Sequence, residues 1–144
     1  MIECLILGDS IAVGVSQIRK ECTAYVKSGI NSSTFYNNHR SMLSTSLETK
    51  TTIISIGPND TGKINTVRNA NLIRENIKGR VYWILPSEKL KPEKYQNILD
   101  VARVWGDVVI ERPANKISPD GVHPTYDGYK EIAEKTKVME KKKK

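Results

Sequence analysis

The stretch TTIISIG, residues 51–57, is the clearest strand signal in the chain. It is rich in β-branched residues and ends at a glycine, as strands commonly do. Its apolar positions follow one another without strict alternation, which is typical of a strand covered on both faces. Four more short apolar runs have the same character: ECLILGDS (3–10), CTAYVKSG (22–29), RVYWILP (80–86) and DVVIERP (107–113).

Segments with helical spacing separate these runs. IAVGVSQIRK (11–20) is apolar at 11, 15 and 18, and a short helix is expected around residues 38–47. Three more helices are predicted: INTVRNANLIRENIKG (64–79) capped by Gly79, KPEKYQNILDVARVWG (91–106) with Pro92 in its first turn, and YDGYKEIAEKTKVM (126–139). The alternation predicts an α/β protein of three layers, α/β/α, whose five-stranded, mostly parallel sheet has the order 2-1-3-4-5.

Length and charge limit the possible classes. The 144 residues indicate a single domain over residues 1–139, followed by a basic tail at 140–144 that is expected to be disordered. The net charge is +7, of which Lys141 to Lys144 supply four, leaving +3 for the rest. No aromatic residues lie among these lysines, so no specific nucleic-acid binding is expected.

The N-terminus, MIECLILGDS, carries neither a basic segment nor an apolar run long enough for a signal peptide or membrane span. We therefore expect a cytoplasmic protein, released by lysis if its source is a phage. Cys4 and Cys22 fit neither a disulfide framework nor a metal motif, and we expect two reduced thiols. The oligomeric state cannot be inferred from the sequence.

Polar residues follow the predicted strands at three places. Ser10 comes directly after the first strand, Asn59 after the third, and Asp120 and His123 lie in the loop after the fifth. Because ligands bind at the carboxyl ends of parallel strands, these four side chains are expected at one rim of the sheet. A serine, a histidine, an aspartate and an amide donor are the parts of a serine hydrolase.

Each part has a chemical role in that interpretation. Ser10 is the candidate nucleophile and His123 the base that takes its proton, while Asp120 fixes the imidazole tautomer. The Asn59 amide is a candidate donor to the oxyanion. Taken singly, however, Ser10 is more often a helix N-cap, and the other three are more often turn, cap or loop residues.

The second histidine, His39, has no strand end or carboxylate near it in sequence, and we interpret it as structural. The convergence of four polar residues at one rim is what favours the hydrolase over the simpler interpretations.

The motifs GDS (8–10), GPND (57–60) and DGVHPT (120–125) occur in an order that resembles the SGNH hydrolases, the GDSL-type esterase/lipase superfamily. The resemblance implies a catalytic triad of Ser10, His123 and Asp120. It also implies oxyanion donors from the Ser10 N–H, the Asn59 side chain and a glycine N–H. Ser32 stands where that glycine is usual, so Ser32 is the expected third donor, with Gly29 as the fallback.

The resemblance further implies a serine esterase that needs no metal or organic cofactor. The chain is short for the family, which suggests an open site and a small acyl group such as acetyl. The substrate is expected to be a small-molecule or carbohydrate ester, and O-acetylated carbohydrates are a reasonable class.

Two alternatives remain open. One is a catalytically inactive binding module with the same fold. The other is a P-loop nucleotide binder, because GPNDTGK at 57–63 fits the G-x-x-x-x-G-K pattern. Ile64 then occupies the position where a Ser or Thr would hold magnesium, which disfavours this alternative.

Overall fold

The computed structural model describes residues 1–142, with side chains described through residue 137. Its five strands form one sheet with the order β2-β1-β3-β4-β5, in which every pairing between neighbouring strands is parallel. The predicted class and strand order are therefore confirmed. The strands are β1 (Ile2–Gly8), β2 (Thr23–Val26), β3 (Leu47–Ser55), β4 (Ile77–Ile84) and β5 (Val108–Ile110).

The helices are α1 (Ser10–Ile18), α2 (Ser32–Asn38), α3 (Arg40–Leu43), α4 (Thr66–Arg74), α5 (Pro92–Trp105) and α6 (Tyr126–Lys142). The segment between β2 and β3 thus contains two short helices, α2 and α3, that meet at His39, rather than the single helix expected around 38–47. Helix α6 continues into the segment expected to be a disordered tail, and residues 143 and 144 lie outside the described part of the chain.

The sheet separates two hydrophobic cores because successive side chains of a strand point to opposite faces. Leu5, Leu7 and Trp83 belong to the core covered by α2 to α5. Ile6 and Ile53 belong to the core covered by α1 and α6. Both faces of the central strands are therefore buried, which explains their uninterrupted apolar sequence.

Gly79 does not cap a helix as predicted. Helix α4 already ends at Arg74, and Gly79 lies inside β4, where the register between β3 and β4 shifts. Its φ is +92°, and a Cβ atom there would overlap the carbonyl oxygen of Thr49. A glycine is needed at this irregularity of the sheet, which sequence periodicity does not distinguish from a helix end.

The prediction of two reduced cysteines is also wrong, because Cys4 and Cys22 form a disulfide. Cys4 lies in β1, and Cys22 lies just before β2, its neighbour in the sheet. Helix α1 returns the chain to the starting edge of β1, so the two Cα atoms, 18 residues apart in sequence, lie 4.8 Å apart. The connection is a consequence of the β-α-β topology and leaves no motif in the sequence.

Candidate active site

A tight junction between β1 and α1 presents Ser10. Gly8, at the end of β1, has a φ of +137°, and a Cβ atom there would overlap the carbonyl oxygen of Ser55 in β3. Asp9 then caps α1, because its Oδ1 accepts the Ile11 N–H at 3.1 Å and the Ser55 hydroxyl at 2.9 Å. Since Asp9 is the N-cap, the Ser10 hydroxyl is free to contact another group.

That group is His123. The Ser10 Oγ lies 3.1 Å from His123 Nε2, across 113 residues of sequence. On the other side of the ring, His123 Nδ1 lies 2.8 Å from Asp120 Oδ2. With the proton on Nδ1 donated to the carboxylate, Nε2 is the acceptor for the serine proton, which is the tautomer that a general base requires. The structure thus brings the three residues together as a hydrogen-bonded chain.

The loop that carries Asp120 and His123 is held by its own hydrogen bonds. Asp120 Oδ1 accepts the N–H groups of Val122 at 2.8 Å and His123 at 2.9 Å. The Ser118 N–H donates to the His123 carbonyl at 2.8 Å, and the Ser118 Oγ lies 2.8 Å from Asp120 Oδ1. The role of Ser118 was not predicted, because a serine before Pro119 looks like any other turn residue.

These contacts set the charge of Asp120. The hydrogen bond from the His123 side chain, followed by those from the His123 and Val122 N–H groups, holds the pKa of Asp120 well below its usual range. The carboxylate therefore stays ionised throughout the neutral range, and the half-exposed position of its side chain favours the same state.

Arg112 connects this loop to the sheet. Its Nε donates to the Leu85 carbonyl, just after β4, at 3.2 Å, and its Nη1 donates to the Val122 carbonyl at 3.4 Å. Burial lowers the pKa of Arg112, and the charge of Asp9 opposes that change. Burial disfavours the charged form of Asp9 as well, which for a carboxyl group raises the pKa. Sequence reasoning missed Arg112 because it follows a strand as an ordinary charged residue.

Two candidate oxyanion donors lie at this rim. The Ser10 N–H is at the first position of α1, and no hydrogen bond within the described part of the chain uses it. Asn59 Nδ2 donates one of its two protons to the Ile30 carbonyl at 3.1 Å, which fixes the amide. The second proton of that amide remains to be donated.

Ser32, the expected third oxyanion donor, already uses its N–H in a hydrogen bond within the protein. The Ser32 N–H donates to Asp60 Oδ1 at 2.7 Å, and the Ser32 hydroxyl donates to Asp60 Oδ2 at 2.6 Å. Asp60 also accepts the Thr66 hydroxyl at 2.7 Å, so it ties the starts of α2 and α4 together. A backbone N–H has one proton, and in this arrangement Ser32 has none to give an oxyanion. Gly29, the fallback, lies in an exposed turn before α2.

Two other features singled out in the sequence are His39 and the P-loop-like segment 57–63. The His39 ring packs against Phe35 and Tyr25, and burial lowers its pKa, in keeping with a structural residue. Within the P-loop-like segment, the Asp60 N–H donates to the Gly57 carbonyl. That N–H is therefore not part of a phosphate cradle, and the nucleotide-binding alternative gains no support.

The described residues offer neither an intact set of metal ligands nor a membrane-spanning helix. Among the described residues, Cys4, Glu21 and Cys22 form one grouping of potential metal ligands, but its two sulfurs are bonded to each other. No helix within residues 1–142 combines the length and apolar character needed to cross a bilayer.

Comparison with known proteins shows the class of fold. No protein-family model matches the sequence, and no curated protein matches it either. Among solved structures, a member of the lipolytic G-D-S-L family from Veillonella parvula superposes with a TM-score of 0.66 at 17% identity, over 94% of this chain and 96% of that one.

Two other solved structures with a similar fold are of proteins whose names refer to acetyl groups. The C-terminal catalytic domain of peptidoglycan O-acetyltransferase A from Streptococcus pneumoniae gives a TM-score of 0.64 at 13% identity, over 98% of this chain and 95% of that one. An acetyl xylan esterase from Butyrivibrio proteoclasticus gives 0.58 at 11% identity, over 99% of this chain and 64% of that one. At these identities the likeness concerns the fold, and the chain has the fold of the SGNH, or GDSL-type, hydrolases.

Proposed function

We propose that this protein is a serine esterase that hydrolyses small acyl esters, acetyl esters in particular, through Ser10, His123 and Asp120. The observation that carries the proposal is the continuous chain of hydrogen bonds from the Ser10 hydroxyl through the His123 ring to the Asp120 carboxylate. Its position at the carboxyl rim of a parallel sheet, at the start of α1, is where such folds bind ligands.

The first step is acylation of the serine. The Ser10 Oγ attacks the ester carbonyl carbon while its proton passes to His123 Nε2, and the carbonyl oxygen becomes an oxyanion. The tetrahedral species then collapses as the bond to the alcohol oxygen breaks and His123 returns the proton to that oxygen. Asp120 stabilises the imidazolium that forms between these events.

The second step reverses the first with water. A water molecule gives its proton to His123 Nε2 and attacks the acyl-serine carbonyl, and collapse restores the Ser10 hydroxyl and releases the carboxylic acid. The Ser10 N–H and the free proton of the Asn59 amide are the donors that we assign to the oxyanion in both steps. Removing one such donor typically costs about 3 kcal/mol of transition-state stabilisation.

The acyl group that we propose is acetyl. Two of the similar structures carry acetyl chemistry in their names, an acetyl xylan esterase and a peptidoglycan O-acetyltransferase. The triad here is also open to solvent, with the Asp120 side chain 50% and the His123 side chain 41% exposed. A long acyl chain would gain little burial beside such exposed groups.

Hydrolysis of p-nitrophenyl acetate tests the proposal. We expect Ser10→Ala and His123→Ala each to lower kcat by about 10³-fold or more, because the serine and its base act as a unit. Ser41→Ala, which removes an exposed serine hydroxyl in α3, is the matched control and should keep parental activity. If the Ser10→Ala variant kept parental activity, Ser10 would be excluded as the nucleophile. If the parent protein itself were inactive, the alternative of a catalytically inactive binding module would be favoured.

The acyl preference has its own test. A series of p-nitrophenyl esters from acetate to octanoate should give the highest kcat/KM at acetate. Highest activity on octanoate would contradict the small-acyl assignment while leaving the triad in place.

A further inference from the structure

The position of His123 indicates where the alcohol half of the ester must lie. His123 Nε2 returns a proton to the departing alcohol oxygen, so that oxygen has to lie within hydrogen-bond reach of this ring. The oxyanion donors, in contrast, come from the start of α1 and the loop after β3. The alcohol is therefore directed toward the loop that carries His123 and the end of the sheet formed by β4 and β5.

A cavity of about 500 Å³ borders that loop. Its lining includes Gly121 and Val122, the two residues directly before His123, and the segment 86–90 after β4. Arg112 is part of the lining and also donates to the Val122 carbonyl, so the cavity and the histidine loop share a fixed wall. Its volume lies in the range of ligand-binding clefts, about 300 to 1,000 Å³.

The lining combines apolar faces with charged groups of both signs, since Lys89 and Arg112 line the cavity together with two glutamates. Leu90 and Val122 are 47% and 45% exposed, which leaves apolar surface uncovered. Glu88 and Glu111 are exposed carboxylates in the same cavity, and the Tyr95 hydroxyl is hydrogen-bonded to Glu111. An ionised carboxylate has about four acceptor sites, so Glu111 keeps capacity for further donors after binding Tyr95.

These properties define one class of alcohol. A sugar offers apolar C–H faces that pack against side chains such as Leu90, and many hydroxyl donors for carboxylate oxygens. The alkyl chain of an esterified fatty alcohol, or of a long acyl group, has no donors and would desolvate Glu88 and Glu111 without compensation.

We infer that the alcohol half of the substrate is a carbohydrate seated in this cavity, with Glu88 and Glu111 accepting its hydroxyl groups as specificity-determining residues. The inference rests on the proposed esterase function. It assigns to the sugar a site beside the triad, and to the acyl group the position between Ser10 and the oxyanion donors.

Two acetyl esters that differ only in the alcohol provide the test: ethyl acetate and a mono-O-acetyl disaccharide. Both pass through the same acetyl-enzyme, so the ratio of their kcat/KM values reports how the alcohol is recognised during acylation. We expect the parent to favour the sugar ester by about tenfold or more, and Glu111→Gln and Glu88→Gln each to lower that ratio by about tenfold. Glu75→Gln, an exposed glutamate at the end of α4, is the matched control and should keep the parental ratio.

The outcomes separate the two proposals. If Ser10→Ala lost ethyl acetate hydrolysis but the parent showed no preference for the sugar ester, the esterase proposal would stand and the carbohydrate site would be overturned. A sugar preference unchanged by both glutamate substitutions would also overturn this site. If Val122→Ser changed the ratio of acetate to octanoate esters and left the sugar ratio intact, the cavity would belong to the acyl chain. Absence of esterase activity in the parent would instead remove the proposed function itself.

Discussion

The two rims of the sheet use polar side chains in opposite ways. At the carboxyl rim, Asp120 and His123 pair at 2.8 Å with side chains 50% and 41% exposed. At the opposite rim, Arg74 and Asp107 pair at 2.7 Å with side chains only 9% and 5% exposed. The first pair is open to a substrate, whereas the second is sealed into the protein. Similar donor–acceptor distances therefore occur in an exposed pair at one rim and in a buried pair at the other, and only the exposed pair is accessible to a ligand.

The sealed pair is part of a dense network. Arg74 Nη2 also donates to Asp107 Oδ1 at 3.0 Å, the Trp83 indole N–H donates to Asp107 Oδ2 at 2.9 Å, and the Arg74 guanidinium stacks 4.7 Å from the Trp105 ring. The disulfide between Cys4 and Cys22 lies at the same rim of the sheet as this network. A cavity of about 1120 Å³ borders these groups. This cavity is larger than the one beside the His123 loop, yet Ser10, Asp120 and His123 do not line it, so size alone does not identify the candidate site.

The largest effect is expected from Asp120→Asn. Its oxygen can still accept the Val122 and His123 N–H groups, so the loop should keep its shape. Its amide N–H₂ would face His123 Nδ1 and favour the wrong tautomer, which in the serine protease template costs about 10⁴ in kcat. Esterase assays should show a loss of about 10² to 10⁴ with an unchanged melting temperature, whereas the exposed Asp100→Asn should behave as the parent. A melting temperature lowered in proportion to activity would make Asp120 structural.

Asp107→Ala should have the converse effect at the opposite rim. It leaves the Arg74 guanidinium buried without its carboxylate and the Trp83 N–H without its acceptor, a change that typically costs about 3 to 5 kcal/mol. Urea unfolding should show this loss against Asp100→Ala as the control. The folded fraction should retain parental kcat, and a selective loss of kcat would mean that the two rims are coupled.

A smaller loss of stability is expected from removing the disulfide. Cys4→Ser with Cys22→Ser opens a link between residues 18 apart in sequence, and native disulfides contribute typically about 2 to 4 kcal/mol. Thermal unfolding with and without a reductant measures this loss. The reductant should lower the melting temperature of the parent and leave that of the double variant unchanged. A parent that is insensitive to reductant, and carries two titratable thiols, would contradict the disulfide.

The smallest effect concerns the proposed sugar cavity. The hydrogen bond to Glu111 raises the pKa of Tyr95 to about 12. Because this phenol pKa is raised on folding, its contribution to stability is present below about pH 10 and is lost as the pH rises through about 12. NMR titration of ring-labelled tyrosine should find this value, and Glu111→Gln should move it back toward the ordinary range. An unshifted Tyr95 in the parent would show that the two groups do not pair in solution.

The parallel sheet was predictable because each core strand is buried on both faces and reads as one apolar run, as TTIISIG does. Its order was predictable because 2-1-3-4-5 is common among small sheets of this kind. The proximity of Ser10, His123 and Asp120 was predictable for a related reason. Residues directly after parallel strands lie at one rim of the sheet, so the sequence alone places Ser10 near His123, 113 residues later. The helix cap at Asp9 removes the simpler interpretation of Ser10 as an N-cap.

The missed features depend on contacts between distant segments. The Ser32 N–H is engaged by Asp60, 28 residues later, and nothing in either segment alone indicates that pairing. Gly79 resembled a helix C-cap because both situations require a positive φ. Arg112 acts through carbonyl groups, which every residue has, so its partners leave no trace in the sequence.

The central claim is that Ser10 is a nucleophile activated by His123, and covalent labelling tests it most directly. An alkylsulfonyl fluoride should be attacked by the Ser10 oxygen at sulfur, with loss of fluoride, and peptide mass spectrometry should find one adduct at Ser10 as esterase activity disappears. His123→Ala should slow the labelling by about 10²-fold or more, because general-base assistance contributes typically about 10² to 10⁴. Labelling at another residue, or at Ser10 with the same rate in His123→Ala, would contradict the account.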